Sequence, residues 1–136
     1  MPYLRLKTSV AAGAMSAMLS GCVASYIDLE AERVEDEIRF RNPNAGLFSS
    51  DCVRVVEVTN VETREVVWAD GSRTSGCLFE TPFAYGQKSD LSDPKDYKAA
   101  KPLEPGNSYE IFVELDGGAG DGSFTIAADG RVTNSG

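Results

Sequence analysis

The sequence pattern that most constrains the fold is a strict alternation in the C-terminal third of the chain. Apolar side chains occupy every second position from Tyr109 to Leu115, and Glu occupies two of the three positions between them. Successive side chains of a β-strand point to opposite faces of a sheet. This segment is therefore the clearest predicted strand, with one buried face and one exposed face.

Shorter segments repeat this behaviour. Ile38 and Phe40 alternate with charged residues over 36–41, and Asn42 to Gly46 then carries turn residues. The Val-rich run over 52–59 predicts a strand whose hairpin partner covers 66–68, with Trp68 as a core anchor.

Three further strands complete the prediction. A strand over 77–86 carries Pro82, which places it at a sheet edge or breaks it there. A strand over 123–128 carries Phe124 and Ile126 on one face, and it turns at Asp129-Gly130 into a last strand over 131–133. Six or seven short strands with little helix predict an all-β fold, a small antiparallel β-sandwich.

Three segments lack this alternation. The acidic run over 28–37 is expected to form a helical turn or an irregular lead-in. The polar segment over 87–106 is expected to be a long loop with room for one helical turn near 93–100, either functional or a plain connection. The glycine-rich run over 116–122 is expected to be a flexible hairpin connection, since it offers one unit of a calcium-binding repeat and no phosphate-binding lysine.

Composition limits the partners of the chain. Its 136 residues fit one domain, and 42% hydrophobic with 25% charged residues is ordinary for a globular protein. The net charge of −8 argues against nucleic acid as a partner, because phosphate binding requires a basic stripe. The chain has no histidine, which removes the commonest metal ligand and the commonest general base.

The N-terminal segment is typical of an export signal. Arg5 and Lys7 precede an uncharged, mostly small and apolar stretch from Val10 to Leu19. This stretch is shorter than the ~20 residues that a membrane-spanning helix needs, and it fits the apolar region of a secretory signal of roughly 7–15 residues. We therefore exclude the segment from the folded domain.

The end of that segment resembles the lipobox of bacterial lipoproteins in Leu19-Ser20-Gly21-Cys22. The resemblance implies a diacylglyceryl group on the Cys22 thiol, cleavage after Gly21 and acylation of the new amino terminus with palmitate-type chains. Several acyl chains together anchor a protein stably in a membrane. In this family, Val23 in place of Asp implies the outer membrane, with the body of the protein facing the periplasm.

The expected domain organisation follows from this signal. Residues 1–21 are the signal peptide, 22–35 a tether and acidic lead-in, and 36–136 the β-sandwich domain. Removal of the signal leaves 11 of the 13 basic and all 21 acidic side chains, a net charge of −10. An exported chain meets an oxidising compartment, so Cys52 and Cys77 are expected to form one disulfide. The alternative is two free thiols in a reducing cytosol.

Two further resemblances concern the mature part. The run from Leu103 through Pro105-Gly106 to Tyr109 is similar to the start of a late strand in immunoglobulin-like and fibronectin-like sandwiches, where the tyrosine hydrogen-bonds back to the preceding loop. The mature pattern as a whole resembles small lipoproteins of the bacterial envelope. The features that carry this second resemblance are Cys52, Trp68, Cys77, the run over 82–86, the run over 103–106 and the closing run over 129–134.

No residue pattern marks a catalytic, cofactor or metal site. Two cysteines without histidine do not make the usual four-ligand zinc set. The adjacent pair Lys88-Ser89 leaves a Ser-Lys arrangement open, and the acids Asp90, Asp93 and Asp96 are expected to be solvated.

The sequence therefore predicts a non-enzymatic, lipid-anchored binding or structural module of the cell envelope. Its partners are the membrane, through Cys22, and an envelope protein. One alternative is an accessory subunit or inhibitor of an envelope or secretion assembly that uses the loops over 86–107 and 116–122. A carboxylate-dependent hydrolase is the third hypothesis, and it requires a cavity with two close, buried acids.

Overall fold

A computed structural model describes residues 25–46 and 49–135, and the predicted lipobox with Cys22 lies outside these residues. The described chain is all-β, and no helix in it is long and apolar enough to cross a membrane. Its ten strands are β1 (Ser25–Asp28), β2 (Glu30–Val34), β3 (Glu37–Arg41), β4 (Cys52–Asn60), β5 (Val66–Gly71), β6 (Phe79–Glu80), β7 (Phe83–Ala84), β8 (Ser108–Leu115), β9 (Gly118–Ile126) and β10 (Val132–Asn134).

The strands form two sheets. The larger sheet has the order β1-β9-β8-β4-β5, with β10 added to β9 and β6 added to β4. The smaller sheet has the order β2-β3-β7. All pairs are antiparallel except β1 with β9, which is parallel. The predicted all-β, two-sheet architecture is confirmed.

The core lies between the sheets and is rich in aromatic side chains. Trp68 is fully buried, as predicted, and its ring lies 5.9 Å from that of Phe79. Phe40 of the smaller sheet contacts Phe124 of the larger sheet at 5.5 Å between ring centroids. The alternating strand predicted over 109–115 buries each of its apolar positions except Phe112, which points outward.

Two predicted links are present. Cys52 and Cys77 form a disulfide, with their Cα atoms 5.2 Å apart. The Tyr109 hydroxyl accepts a hydrogen bond of 2.9 Å from the backbone N–H of Glu104, as the resemblance to immunoglobulin-like sandwiches implies. The first link fixes the start of β4 to the segment before β6, and the second fixes the loop that leads into β8.

The expected helical turn or lead-in over 28–37 is wrong. Residues 25–34 form β1 and β2, so the part of the chain interpreted as a tether contributes one strand to each sheet. Only Leu29 and Ala31 of this segment are buried, at 4% exposure each. Because only two residues are buried and their neighbours are mostly charged, the segment lacks the alternating apolar pattern from which a strand is predicted.

The glycine-rich run is also a strand rather than a flexible connection. The turn covers only Asp116 and Gly117, and β9 begins at Gly118. A Cβ atom on Gly118 would lie 2.2 Å from the Ser25 carbonyl oxygen, and one on Gly122 would lie 2.2 Å from that of Leu29. The glycines are required because the backbone of residues 25–29 lies in close contact with β9.

The long segment over 87–106 contains no helix and is tied to the sheet. Backbone hydrogen bonds join Ala69 to Lys98 in both directions, at 3.2 and 2.8 Å, and a third joins the Lys101 N–H to the Val67 carbonyl. The segment therefore covers the outer edge of β5, which would otherwise expose unpaired backbone groups. The strand predicted over 77–86 breaks at Pro82, as expected, and its two halves pair with different sheets.

Candidate binding face of the larger sheet

The larger sheet has one face in the core and one in solvent. On its solvent face, the register sets Phe112 of β8 directly between Glu57 of β4 and Asp121 of β9. Asp28 of β1 lies next to Asp121 on the far side. These four residues form one row across four neighbouring strands, with an aromatic ring between carboxylates.

Three more exposed residues extend this row. Glu110 and Glu114 precede and follow Phe112 at two-residue spacing, and Tyr26 occupies the same side of β1 as Asp28. Phe112 is 45% exposed and Tyr26 is 60% exposed. We call this set the acidic–aromatic face; its members are Tyr26, Asp28, Glu57, Glu110, Phe112, Glu114 and Asp121.

A shallow depression marks the centre of the face. Its volume is about 300 Å³. Its lining includes side chains from three adjacent strands, namely Glu57, Thr59, Glu110, Phe112, Asp121 and Ser123. The backbone of these strands is held by sheet hydrogen bonds on both sides, so the side chains start from fixed positions.

The carboxylates of this face have no ion-pair partner within the described part of the chain. The four salt bridges found there use Glu30, Glu32, Glu65 and Asp129, and none uses a member of the face. The five strands β1, β9, β8, β4 and β5 contain one basic residue, Arg54. It is the extra residue of a β-bulge opposite Glu114. The face therefore presents a predominantly negative field.

The same field acts on Tyr26. The contact of its hydroxyl with the Asp121 carboxylate raises the pKa of the Tyr26 phenol, and loss of solvent and the charges of Asp121 and Asp28 raise it further. Nearby carboxylates disfavour the phenolate because they repel its negative charge. Tyr26 therefore remains a neutral hydrogen-bond donor within an anionic surface.

A larger depression of the described residues differs from this face in its charge balance. It has a volume of about 830 Å³ and lies between β2 and the turn that joins β9 to β10. Most of its charges are paired with each other, since Arg41 contacts Glu30 at 3.0 Å and Glu32 at 3.4 Å, and Arg131 contacts Asp129 at 2.8 Å, whereas Arg33 donates to the Gly130 carbonyl. A ligand that binds the paired charges there would have to displace existing partners, which it would not have to do on the acidic–aromatic face.

The hydrolase hypothesis requires two close, buried acids, and the described residues contain one buried acid. Asp70 is 1% exposed and is the only carboxylate that is buried in the described part of the chain. Its oxygens accept hydrogen bonds from the Ser92 hydroxyl at 2.7 Å and from the Gly71 N–H at 2.8 Å. This arrangement attaches the segment over 87–106 to the end of β5 and does not supply the pair of close acids that the hydrolase hypothesis requires.

The remaining candidate site residues from the sequence analysis lie in the segment over 87–106, mostly at its surface. Lys88, Asp90 and Asp96 are exposed, and Asp93 is partly buried. The Ser89 hydroxyl oxygen accepts a hydrogen bond of 3.1 Å from the Leu91 N–H. No three of the Cys, Asp or Glu side chains in 25–46 and 49–135 come together as candidate metal ligands.

The sequence did not single out the acidic–aromatic face. The alternation over 109–115 predicts that Phe112 points away from the core, and the structure confirms it. Glu57 and Asp121 are 55 and 9 positions away in sequence from Phe112, so their contact depends on the register of β4 and β9. The sequence signal that could have indicated this face is Phe112, an apolar residue at an outward position of a predicted strand.

The fold and this face define a small, disulfide-linked β-sandwich with an exposed acidic–aromatic sheet surface. Comparisons with protein-family models, with curated proteins and with solved structures find no match to this chain.

Proposed function

We propose that this chain is a lipid-anchored, non-enzymatic binding module of the bacterial envelope. Lipid on Cys22 holds it at the outer membrane, and its sandwich faces the periplasm. The observation that carries the binding role is the row in which Phe112 lies exposed between Glu57 and Asp121, without an ion-pair partner for either acid.

The position of β1 supports a link between the anchor and the face. Ser25, the first residue of β1, is three positions after Cys22. Three residues span at most roughly 10 Å when fully extended. Because β1 also carries Tyr26 and Asp28, one edge of the acidic–aromatic face begins close to the proposed lipid. The tether is thus shorter than the lead-in over 22–35 that the sequence suggested.

Charge supports an orientation in which the face meets another protein rather than lipid. The mature chain would have a net charge of −10, since 11 basic and 21 acidic residues remain after Gly21. Anionic headgroups repel such a surface. The disulfide between Cys52 and Cys77 suits an oxidising compartment, where such bonds form and persist.

The alternative role, an accessory subunit or inhibitor, depended on two free loops. The segment over 87–101 is hydrogen-bonded to β5, and residues 118–122 belong to β9. Much of both segments is therefore held to the larger sheet, and this alternative stays a prediction.

Membrane fractionation of cells that express the full chain tests the anchoring. We expect the wild type in the outer-membrane fraction, released by detergent but not by high salt, and Cys22→Ser in the soluble fraction. The double variant Cys52→Ser with Cys77→Ser is the matched control, because it removes thiols without removing the proposed lipid. Equal membrane retention of Cys22→Ser and wild type would reject the proposal.

A further inference from the structure

We infer that the acidic–aromatic face binds a basic protein segment, with an arginine or lysine head group placed on the Phe112 ring between Glu57 and Asp121. This inference rests on the proposed binding function and adds the chemistry of the partner. The occupant is defined by three features of the face: the spacing of the row, its charge and its exposed aromatic ring.

The spacing of the row fits a single cationic head group. Neighbouring strands in a sheet lie about 4.8 Å apart, so the attachment points of Glu57 and Asp121 are on the order of 10 Å apart with Phe112 midway. A cation binds an aromatic ring within about 6 Å of its centre. A head group on Phe112 would thus have a carboxylate on either side to accept its N–H hydrogen bonds.

The charge of the face favours a segment with several cations. Glu110 and Glu114 flank Phe112 along β8, and Asp28 extends the row beyond Asp121. These acids lack ion-pair partners in the described residues, and Arg54 is the only opposing charge on the five strands. A basic segment would pair with acids that are exposed and without an ion-pair partner, and their negative field would attract it from a distance.

The exposed ring distinguishes this surface from a solvated acidic patch. Phe112 keeps 45% of its surface in water at the centre of the row. An aliphatic arginine or lysine stem would cover that surface while its charged end meets the acids. A second copy of the same face, an anionic lipid headgroup and a nucleic acid would each bring negative charge to the row and be repelled.

Titration of the detergent-solubilised full-length lipoprotein with a defined peptide tests this inference. The probe alternates arginine and alanine over seven residues, and the control peptide has citrulline in place of arginine, which keeps the shape and removes the charge. Binding is measured by calorimetry at low salt and again at high salt. We expect binding of the arginine peptide that weakens with salt, and no binding of the citrulline peptide.

Variants on and off the face locate the binding. We expect Phe112→Ala and the pair Glu57→Gln with Asp121→Asn each to weaken binding about tenfold, and Phe112→Leu to weaken it to a similar extent because it keeps apolar area and loses the ring. The control pair Glu35→Gln with Glu62→Gln removes equal charge from exposed turns, and Tyr97→Ala removes an exposed aromatic side chain elsewhere. These controls should change binding less than twofold.

Several outcomes would overturn the inference. A control pair that weakens binding as much as the face pair would show a general attraction to negative charge, and wild-type affinity in Phe112→Ala would remove the ring from the site. No binding of the arginine peptide would reject the basic partner while leaving the membrane fractionation result for Cys22→Ser unchanged. All substituted side chains are exposed, so unchanged thermal unfolding is expected and serves as the folding control.

Discussion

The side-chain amide of Asn134 pairs with both backbone groups of Ala31. Its oxygen accepts a hydrogen bond of 2.7 Å from the Ala31 N–H, and its nitrogen donates one of 2.9 Å to the Ala31 carbonyl. Asn134 ends β10 of the larger sheet, whereas Ala31 lies in β2, the edge strand of the smaller sheet. One side chain therefore joins the last strand to the beginning of the fold and blocks an open sheet edge.

Removal of the Asn134 amide should weaken the contact between the two sheets. We expect Asn134→Ala to lower the free energy of unfolding by about 1–2 kcal/mol, because two partly buried backbone groups lose their partner. Urea denaturation followed by tryptophan fluorescence measures the change. Thr133→Ala, an exposed neighbour on the same strand, should leave stability within about 0.5 kcal/mol of wild type. Equal stability of the two variants would contradict this role.

The close approach of the backbone of residues 25–29 to β9 predicts that substitutions of two glycines will differ sharply in their effect on stability. Gly122→Ala would bring a Cβ atom to 2.2 Å from the Leu29 carbonyl oxygen, which is backbone and must move. We expect a loss of about 3 kcal/mol in the free energy of unfolding. Gly46→Ala meets only the Ser49 hydroxyl at 3.5 Å, an ordinary contact, and should be close to neutral. A tolerated Gly122→Ala would mean that the Leu29 backbone does not approach β9 this closely.

The strands that could be predicted from sequence are those whose burial alternates with period two. Tyr109 to Leu115, Ile38 with Phe40, and Phe124 with Ile126 each have one apolar side and one polar side, and each is a strand. The local pattern is sufficient here because the core contacts only one face of each sheet.

The remaining features depend on contacts between distant segments. β2 is held by pairing with β3 and by the Asn134 amide, and its own side chains are mostly charged. The segment over 87–101 is fixed by backbone hydrogen bonds, which side-chain patterns do not report. The acidic–aromatic face likewise exists only once the register places Glu57 and Asp121 beside Phe112.

The partly buried phenol of Tyr85 should lower the free energy of unfolding at alkaline pH. Its hydroxyl donates a hydrogen bond of 2.7 Å to the Lys101 carbonyl. Burial, followed by the nearby Tyr109, raises the pKa of Tyr85 well above that of a free tyrosine. The folded state thus keeps a proton that the unfolded state loses near pH ~10, so the stabilisation is complete below that pH and declines above it.

Denaturation series at several alkaline pH values measure this decline. The wild type should lose at most about 1.4 kcal/mol per pH unit above pH ~10 from this group. Tyr85→Phe should be less stable at neutral pH, because the Lys101 carbonyl loses its donor, and should show a shallower alkaline slope. Parallel slopes for the two proteins would show that Tyr85 ionises alike in both states.

The disulfide should add measurable stability. Cys52 and Cys77 are 25 residues apart, and closing a loop of that length contributes about 3 kcal/mol in the chain-entropy description. We expect a reducing agent to lower the urea midpoint of the wild type and to leave the double variant Cys52→Ser with Cys77→Ser unchanged. An unchanged wild-type midpoint under reduction would contradict the prediction.

The proposed membrane anchor is tested most directly by the intact mass of the protein purified from native membranes under non-reducing conditions. We predict a chain that begins at Cys22, carries the added mass of a diacylglyceryl group and an N-acyl chain, and has the mass of a closed bridge between Cys52 and Cys77. A chain that retains Met1 and carries no acyl mass would contradict the proposed anchoring and, with it, the envelope location.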